Sequence, residues 1–137
     1  MIREFPLTPS QLKALDGRRN IAVTASAGSG KTATLVERFI DLLLYNSDIG
    51  VRQILAITFT QKAAAEMRQR LAERLKKGMQ NARDPKERLR LAAIHADLHG
   101  ARISTIHAFC AALLREHPLE AEIDPAFAVM EEVEAQV

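Results

Sequence analysis

The stretch that decides the fold is "NIAVTASAGSGKTATLVERF", residues 20–39. Its first part, "NIAVTA", is a short apolar run rich in β-branched residues and reads as a buried strand. From Gly30 to Tyr45 the period changes. Leu35, Val36, Phe39, Ile40, Leu43 and Leu44 fall three and four apart, one stripe of a helix. Between strand and helix lie six small residues and a Lys-Thr pair. Small residues let backbone N–H groups converge on phosphate oxygens, and a helix start adds unpaired donors and a partial positive charge. Ala25, Ser26, Ala27, Gly28, Ser29 and Gly30 are therefore expected to wrap a phosphate chain. Lys31 would reach its β- and γ-phosphates, and the Thr32 hydroxyl would meet Mg²⁺. Ala25 stands where the strict pattern has its first glycine, which suits the turn only if its φ is negative. The alternative is a glycine-rich turn with a chance Gly-Lys-Thr, but both flanks are those a phosphate loop needs. Such a loop indicates a nucleoside triphosphate without choosing among kinase, GTPase, transporter and helicase.

Outward from this centre the rhythm repeats. Upstream, "LTPSQLKALD" reads as a short helix, with Thr8 as N-cap, Pro9 at its first position and Gly17 as its stop. Downstream, "QILAITFT" (Gln53 to Thr60) is a second buried strand. A helix follows in which Ala63, Met67, Leu71 and Leu75 repeat every four residues, and Gly78 is expected to end it. Arg68, Arg70, Arg74, Lys76 and Lys77 lie off that stripe. Asp84 and Pro85 open another helix to about His99. "ARISTI" is a third strand, leading into the helix "HAFCAALLREH" before Pro118, and "PAFAVMEEVEAQV" suggests an extended piece and a helix start. Strand–helix alternation of this kind predicts an α/β fold: a phosphate-loop-type parallel sheet flanked by helices, with ligands at the carboxyl ends of the strands. The open edge of a three-stranded sheet is expected to be covered by the C-terminal segment or by a second copy of the chain.

The 137 residues suffice for one domain, and 47% hydrophobic with 26% charged is ordinary for a globular chain. No run of 18 apolar residues predicts a membrane span. A single cysteine, Cys110, excludes an internal disulfide framework. With a first segment that lacks an apolar signal core, it points to the cytoplasm. Residues 61–90 hold ten Lys/Arg against four Asp/Glu, while residues 116–137 hold seven acidic residues and no Lys or Arg. The middle segment can face a polyanion, or simply be a set of solvated helix faces. His95 and His99 have the spacing of two metal ligands but no evident third. Cys110, in an apolar helix, is expected to be a buried inert thiol.

Three further motifs bear on the reaction. Gln11 carries an amide that can both donate to and accept from adenine, or can be a plain exposed glutamine. "TFTQKAAAEM", residues 58–67, places hydroxyls, an aromatic ring and a lysine at a strand end, where Phe59 can stack on a base or belong to the core. "STIHAFC", residues 104–110, repeats that grouping, with His107 alternatively a capping or core histidine.

The order "LTPSQ", "ASAGSGKT", "ITFTQKAAAEMRQRL" and "STIHAFCAALLR" resembles the N-terminal half of the first motor domain in UvrD/Rep-type helicases of superfamily one. "TASAGSGKTATLVERF" and "HAFC" are similar to the RecB/AddA-like branch, the motors of helicase–nuclease machines. The likeness runs from about residue 7 to residue 130. It implies a partial RecA-like motor domain that uses ATP and Mg²⁺ and acts on single-stranded DNA in recombination and repair. It implies that Gln11 reads adenine and that residues 25–32 hold the phosphates, with Lys31 and Thr32 catalytic. Thr58, Phe59, Thr60, Lys62 and Ala63 would line the DNA track, and Ser104, Thr105, His107 and Phe109 would continue it. Gln61 departs from the asparagine usual there. No apolar strand ending in Asp-Glu is present to complete the magnesium site. Residues 1–137 are thus expected to be the N-terminal portion of an ATP-binding domain, with about 118–137 beginning its first inserted subdomain. The implied partners are the remainder of the helicase and another member of a nuclease complex. The 137 residues alone are expected to bind without hydrolysing. The rival reading is a small phosphate-loop kinase unrelated to DNA, which leaves residues 58–67 unexplained.

Overall fold

The computed structural model describes residues 6–24, 26, 28–46 and 48–130. Five helices and two strands follow in order: α1 (Pro9–Lys13), α2 (Lys31–Tyr45), β1 (Leu55–Thr58), α3 (Gln61–Asn81), α4 (Pro85–Asp97), β2 (Arg102–Thr105) and α5 (Ile106–Glu116). Short 3₁₀ turns at Val51–Gln53 and Leu98–Gly100 lead into the two strands. β1 and β2 are parallel and in register from Leu55 opposite Arg102 to Thr58 opposite Thr105, with α3 and α4 as the crossover. This is a mixed helix and parallel-sheet architecture, a partial α/β motor domain.

Helix starts are set locally. The hydroxyls of Thr8, Thr60 and Thr105 each accept from a backbone N–H in the first turn, and Asp84 does the same for α4. Each such cap is worth about 1 kcal/mol. The core is assembled around α3, which packs against α2, α4 and both strands. Met67, Leu71 and Leu75 of α3 join Val36, Phe39, Ile40 and Leu43 of α2, Leu91 and Ile94 of α4, and Ile103 of β2 in one buried cluster. Arg90 donates to the Leu43 carbonyl at 2.8 Å and fastens α4 to the end of α2.

Several expectations are corrected. Residues 20–24 form no strand, and Ile21 and Val23 are 37% and 54% exposed. A buried strand needs ladder partners, and β1 and β2 are paired with each other instead. The second strand is shorter than Gln53–Thr60, and it is not buried on both faces. Ala56 turns to the core beside Ile103, whereas Leu55 and Ile57 are exposed. Gly78 does not end α3. The helix runs to Asn81, and a Cβ at position 78 would stand 3.2 Å from Leu91 Cδ1, so the glycine serves the close approach of α4. Arg74 is buried rather than solvated. Cys110 is exposed, because α5 buries only Ala111. Leu35, at the margin of the α2 stripe, is exposed as well. α4 stops at Asp97, before the 3₁₀ turn.

After α5, residues 117–130 fold in turns and add no strand to the sheet edge. The Arg115 guanidinium lies 4.6 Å from the Phe127 ring centroid and donates to the Phe127 carbonyl at 3.3 Å, which clips this segment to α5. The expected helix start at 131–137 lies outside the described residues. No helix among the described residues is long and apolar enough to cross a membrane.

Candidate nucleotide and nucleic-acid site

The phosphate loop is shaped by two left-handed glycines. Gly28 has φ 77° and Gly30, the N-cap of α2, has φ 81°. A side chain at either position would be strained, so glycine is required for the chain to turn tightly into α2. Lys31 Nζ donates to the Ser26 carbonyl at 2.6 Å, and Ser29 Oγ donates to the same oxygen at 2.7 Å. The lysine is thus folded back over its own loop, an arrangement in which a bound phosphate can exchange for the carbonyl. Thr32 is exposed in the first turn of α2. Ala25 and Ala27 lie outside the described residues.

Gln11 meets this loop from α1. Its Nε2 donates to the Ser29 carbonyl at 3.3 Å and its Oε1 accepts from the Thr8 N–H at 2.9 Å. This capping box fixes which end of the amide is which, and leaves one donor and one acceptor position for a ligand. Gln11, Ser29 and Lys31 line one cavity of about 580 Å³ together with Ile21, Val23 and Leu35. The cavity has apolar ribs with a few convergent polar groups, the character of a small-molecule site. Sequence reasoning missed Leu35 and Arg38 as lining residues. Arg38 braces the wall by donating to the Ala14 carbonyl at 2.5 Å. Their signal was helical spacing from Lys31, four and seven residues on.

The second group gathers at the carboxyl ends of β1 and β2. Thr58 and Thr105 are register partners, and Thr58 Oγ1 donates to the Ser104 carbonyl at 3.5 Å. Phe59 is 98% exposed, directly before the Thr60 cap of α3. A large apolar ring held fully in solvent at a strand end is a platform without a partner. Lys62 is exposed and Ala63 half-buried in the first turn of α3. The Thr105 hydroxyl is committed to capping α5 at Ala108 N–H, 3.2 Å away, so its part is to present that helix start. His107 is exposed. Phe109 is half-buried and lines a small cavity of about 190 Å³ with Arg68, Ser104 and Leu113, set apart from Phe59. His99 Nδ1 lies 2.8 Å from the Ala96 carbonyl. Among the described residues no group of three or more His, Cys, Asp or Glu side chains is placed to hold a metal.

Residues 7–137 match the UvrD/REP helicase N-terminal domain. The chain belongs to the UvrD/REP helicase family. Curated relatives agree, and those compared are all large chains of ATP-dependent helicase/nucleases. The chain is 46% identical over 133 residues to the one from Moorella thermoacetica, covering 95% of this chain and 9% of that protein. It is 44% identical over 132 residues to the one from Desulforamulus reducens, covering 95% and 10%. A third, from Desulfitobacterium hafniense, is 40% identical over 131 residues, covering 95% and 9%. The chain therefore spans about a tenth of the length of these relatives. In this UvrD/REP helicase domain the exposed Leu55 and Ile57 mark the sheet face that its own described helices leave open.

Proposed function

We propose that this chain is the N-terminal portion of the ATP-binding domain of an ATP-dependent DNA helicase, with residues from about 118 beginning an inserted subdomain. ATP enters the cavity between α1 and the phosphate loop. Gln11 reads the base with its remaining donor and acceptor, and Lys31 contacts the β- and γ-phosphates. The fit to a triphosphate rests on the two left-handed glycines, the helix start behind them and the lysine already poised over the loop. Magnesium, held with the phosphates and the Thr32 hydroxyl, would neutralise charge on the transferring group. Single-stranded DNA crosses the ends of β1 and β2, stacking on Phe59 and meeting the helix starts at Thr60 and Thr105.

The observation that carries this reading is the tie from Gln11 through Ser29 to the loop of Lys31, which brings base reader and phosphate loop to one cavity. By itself the chain binds and does not turn over, because no Asp-Glu strand end is present to complete the magnesium site. The parent protein works in the cytoplasm and couples hydrolysis to translocation and unwinding. It pairs with a different chain in a helicase–nuclease complex, since its relatives are named as one component of such an assembly.

Two substitutions test the two halves separately. Gln11→Ala removes the base contact, so the preference for ATP over CTP in competition binding falls toward unity while triphosphate binding persists. An unchanged preference contradicts the assignment. Phe59→Ala weakens binding of a thymidine oligonucleotide by about 1–2 kcal/mol, roughly 5- to 30-fold. Since the ring is fully exposed, the thermal midpoint stays put. Unchanged DNA affinity in a fluorescence-anisotropy titration contradicts the DNA half.

A further inference from the structure

One buried charge pair is not used by nucleotide or DNA directly. Glu37 of α2 is 2% exposed and Arg74 of α3 is 3% exposed. Arg74 Nε donates to Glu37 Oε1, and Arg74 Nη2 donates to Glu37 Oε2 at 3.2 Å. The fork is bidentate and lies amid the apolar cluster that contains Val36, Ile40, Leu71 and Leu75. A hydrophobic pair of similar volume would hold such a core as well or better, so stability alone does not explain the charges.

Its position does. Glu37 is six residues beyond Lys31, about 9 Å along α2. Arg74 lies on the helix that starts immediately after Phe59 and Thr60. α2 thus begins in the phosphate loop and α3 begins at the strand end, and the fork joins them where they pack. Apolar side chains let packed helices slide by small shears. A planar guanidinium on a carboxylate does not, because two parallel N–H···O bonds fix distance and angle together.

We propose that Glu37 and Arg74 are positioning residues that couple the nucleotide loop to the DNA platform. This rests on the proposed assignment of the two sites. When Lys31 exchanges the Ser26 carbonyl for a phosphate, α2 shifts at its start. The fork carries that shift into α3, and so to Phe59 and the Thr60 cap. Without the fork, α2 moves and α3 stays.

The test is a coupling measurement on the whole chain. Affinity for a non-hydrolysable ATP analogue with Mg²⁺ is measured with and without a saturating thymidine oligonucleotide, and the reciprocal titration is run. The wild-type chain shows a coupling factor within the usual range of about 5- to 150-fold, equal in both directions. Glu37→Leu combined with Arg74→Met keeps both separate affinities and brings the factor to unity. Arg74→Lys, which keeps the charge but not the fork, lowers the factor and serves if the double variant does not fold. Coupling retained in either folded variant overturns the proposal alone, as does a wild-type chain that binds both ligands independently. A wild-type chain that binds neither ligand overturns the site assignment, and the coupling with it.

Discussion

Replacing Lys31 by alanine weakens binding of ATP with Mg²⁺ by about 10- to 150-fold. That corresponds to the roughly 1.5–3 kcal/mol of a hydrogen bond to a charged group, at 1.36 kcal/mol per tenfold. Lys31 is exposed, and its amine reaches back to the Ser26 carbonyl of its own loop. Fold stability therefore changes little, and the loss belongs to the ligand. Lys31→Arg keeps the charge but brings a wider, planar head into a loop closed by Gly28 and Gly30, so it restores binding only in part. Calorimetric titration of wild type and both variants, alongside thermal melts, checks the claim. Equal affinities for wild type and Lys31→Ala would remove the lysine from the site.

Arg74→Ala destabilises the chain by about 3–5 kcal/mol, because it leaves the Glu37 carboxylate buried without its partner. For a chain of this size that fall lowers the thermal midpoint by more than about 10 °C. The double change Glu37→Leu with Arg74→Met removes both charges and recovers most or all of the loss. The contrast between single and double variant is the decisive feature, since loss of packing alone would make the two changes add. Urea unfolding followed by circular dichroism, with the slope unchanged and the midpoint shifted, reads both values. A single variant as stable as wild type would mean that the carboxylate is not held in the interior.

Much of this site was legible because it is written locally. The Thr8 cap with Pro9 behind it, the two glycines before Lys31 and the Thr60 cap after Phe59 are short-range features, and each stands where the residues place it. The β-branched runs ending at Thr58 and Thr105 also became strands, and their pairing brings the two hydroxyl-rich ends together. What was not legible depends on partners far away in sequence. Residues 20–24 carry the composition of a strand, yet extended backbone becomes a strand only when another supplies its ladder. Arg74 looks like its solvated neighbours Lys76 and Lys77, and only Glu37, 37 residues earlier, makes its burial tolerable. Gly78 reads as a stop until Leu91 is seen against it. Cys110 sits in an apolar run whose helix covers β2 with one side only.

Everything rests on the loop before Lys31 closing around a triphosphate. The most direct measurement is a ¹⁵N-labelled titration of the chain with ATP and Mg²⁺, followed by amide chemical shifts. The account predicts the largest, saturable changes at the amides of Gly28 to Thr32 and at the Gln11 side-chain amide. Changes confined to other surfaces, or a loop whose amides do not respond at saturation, would contradict it.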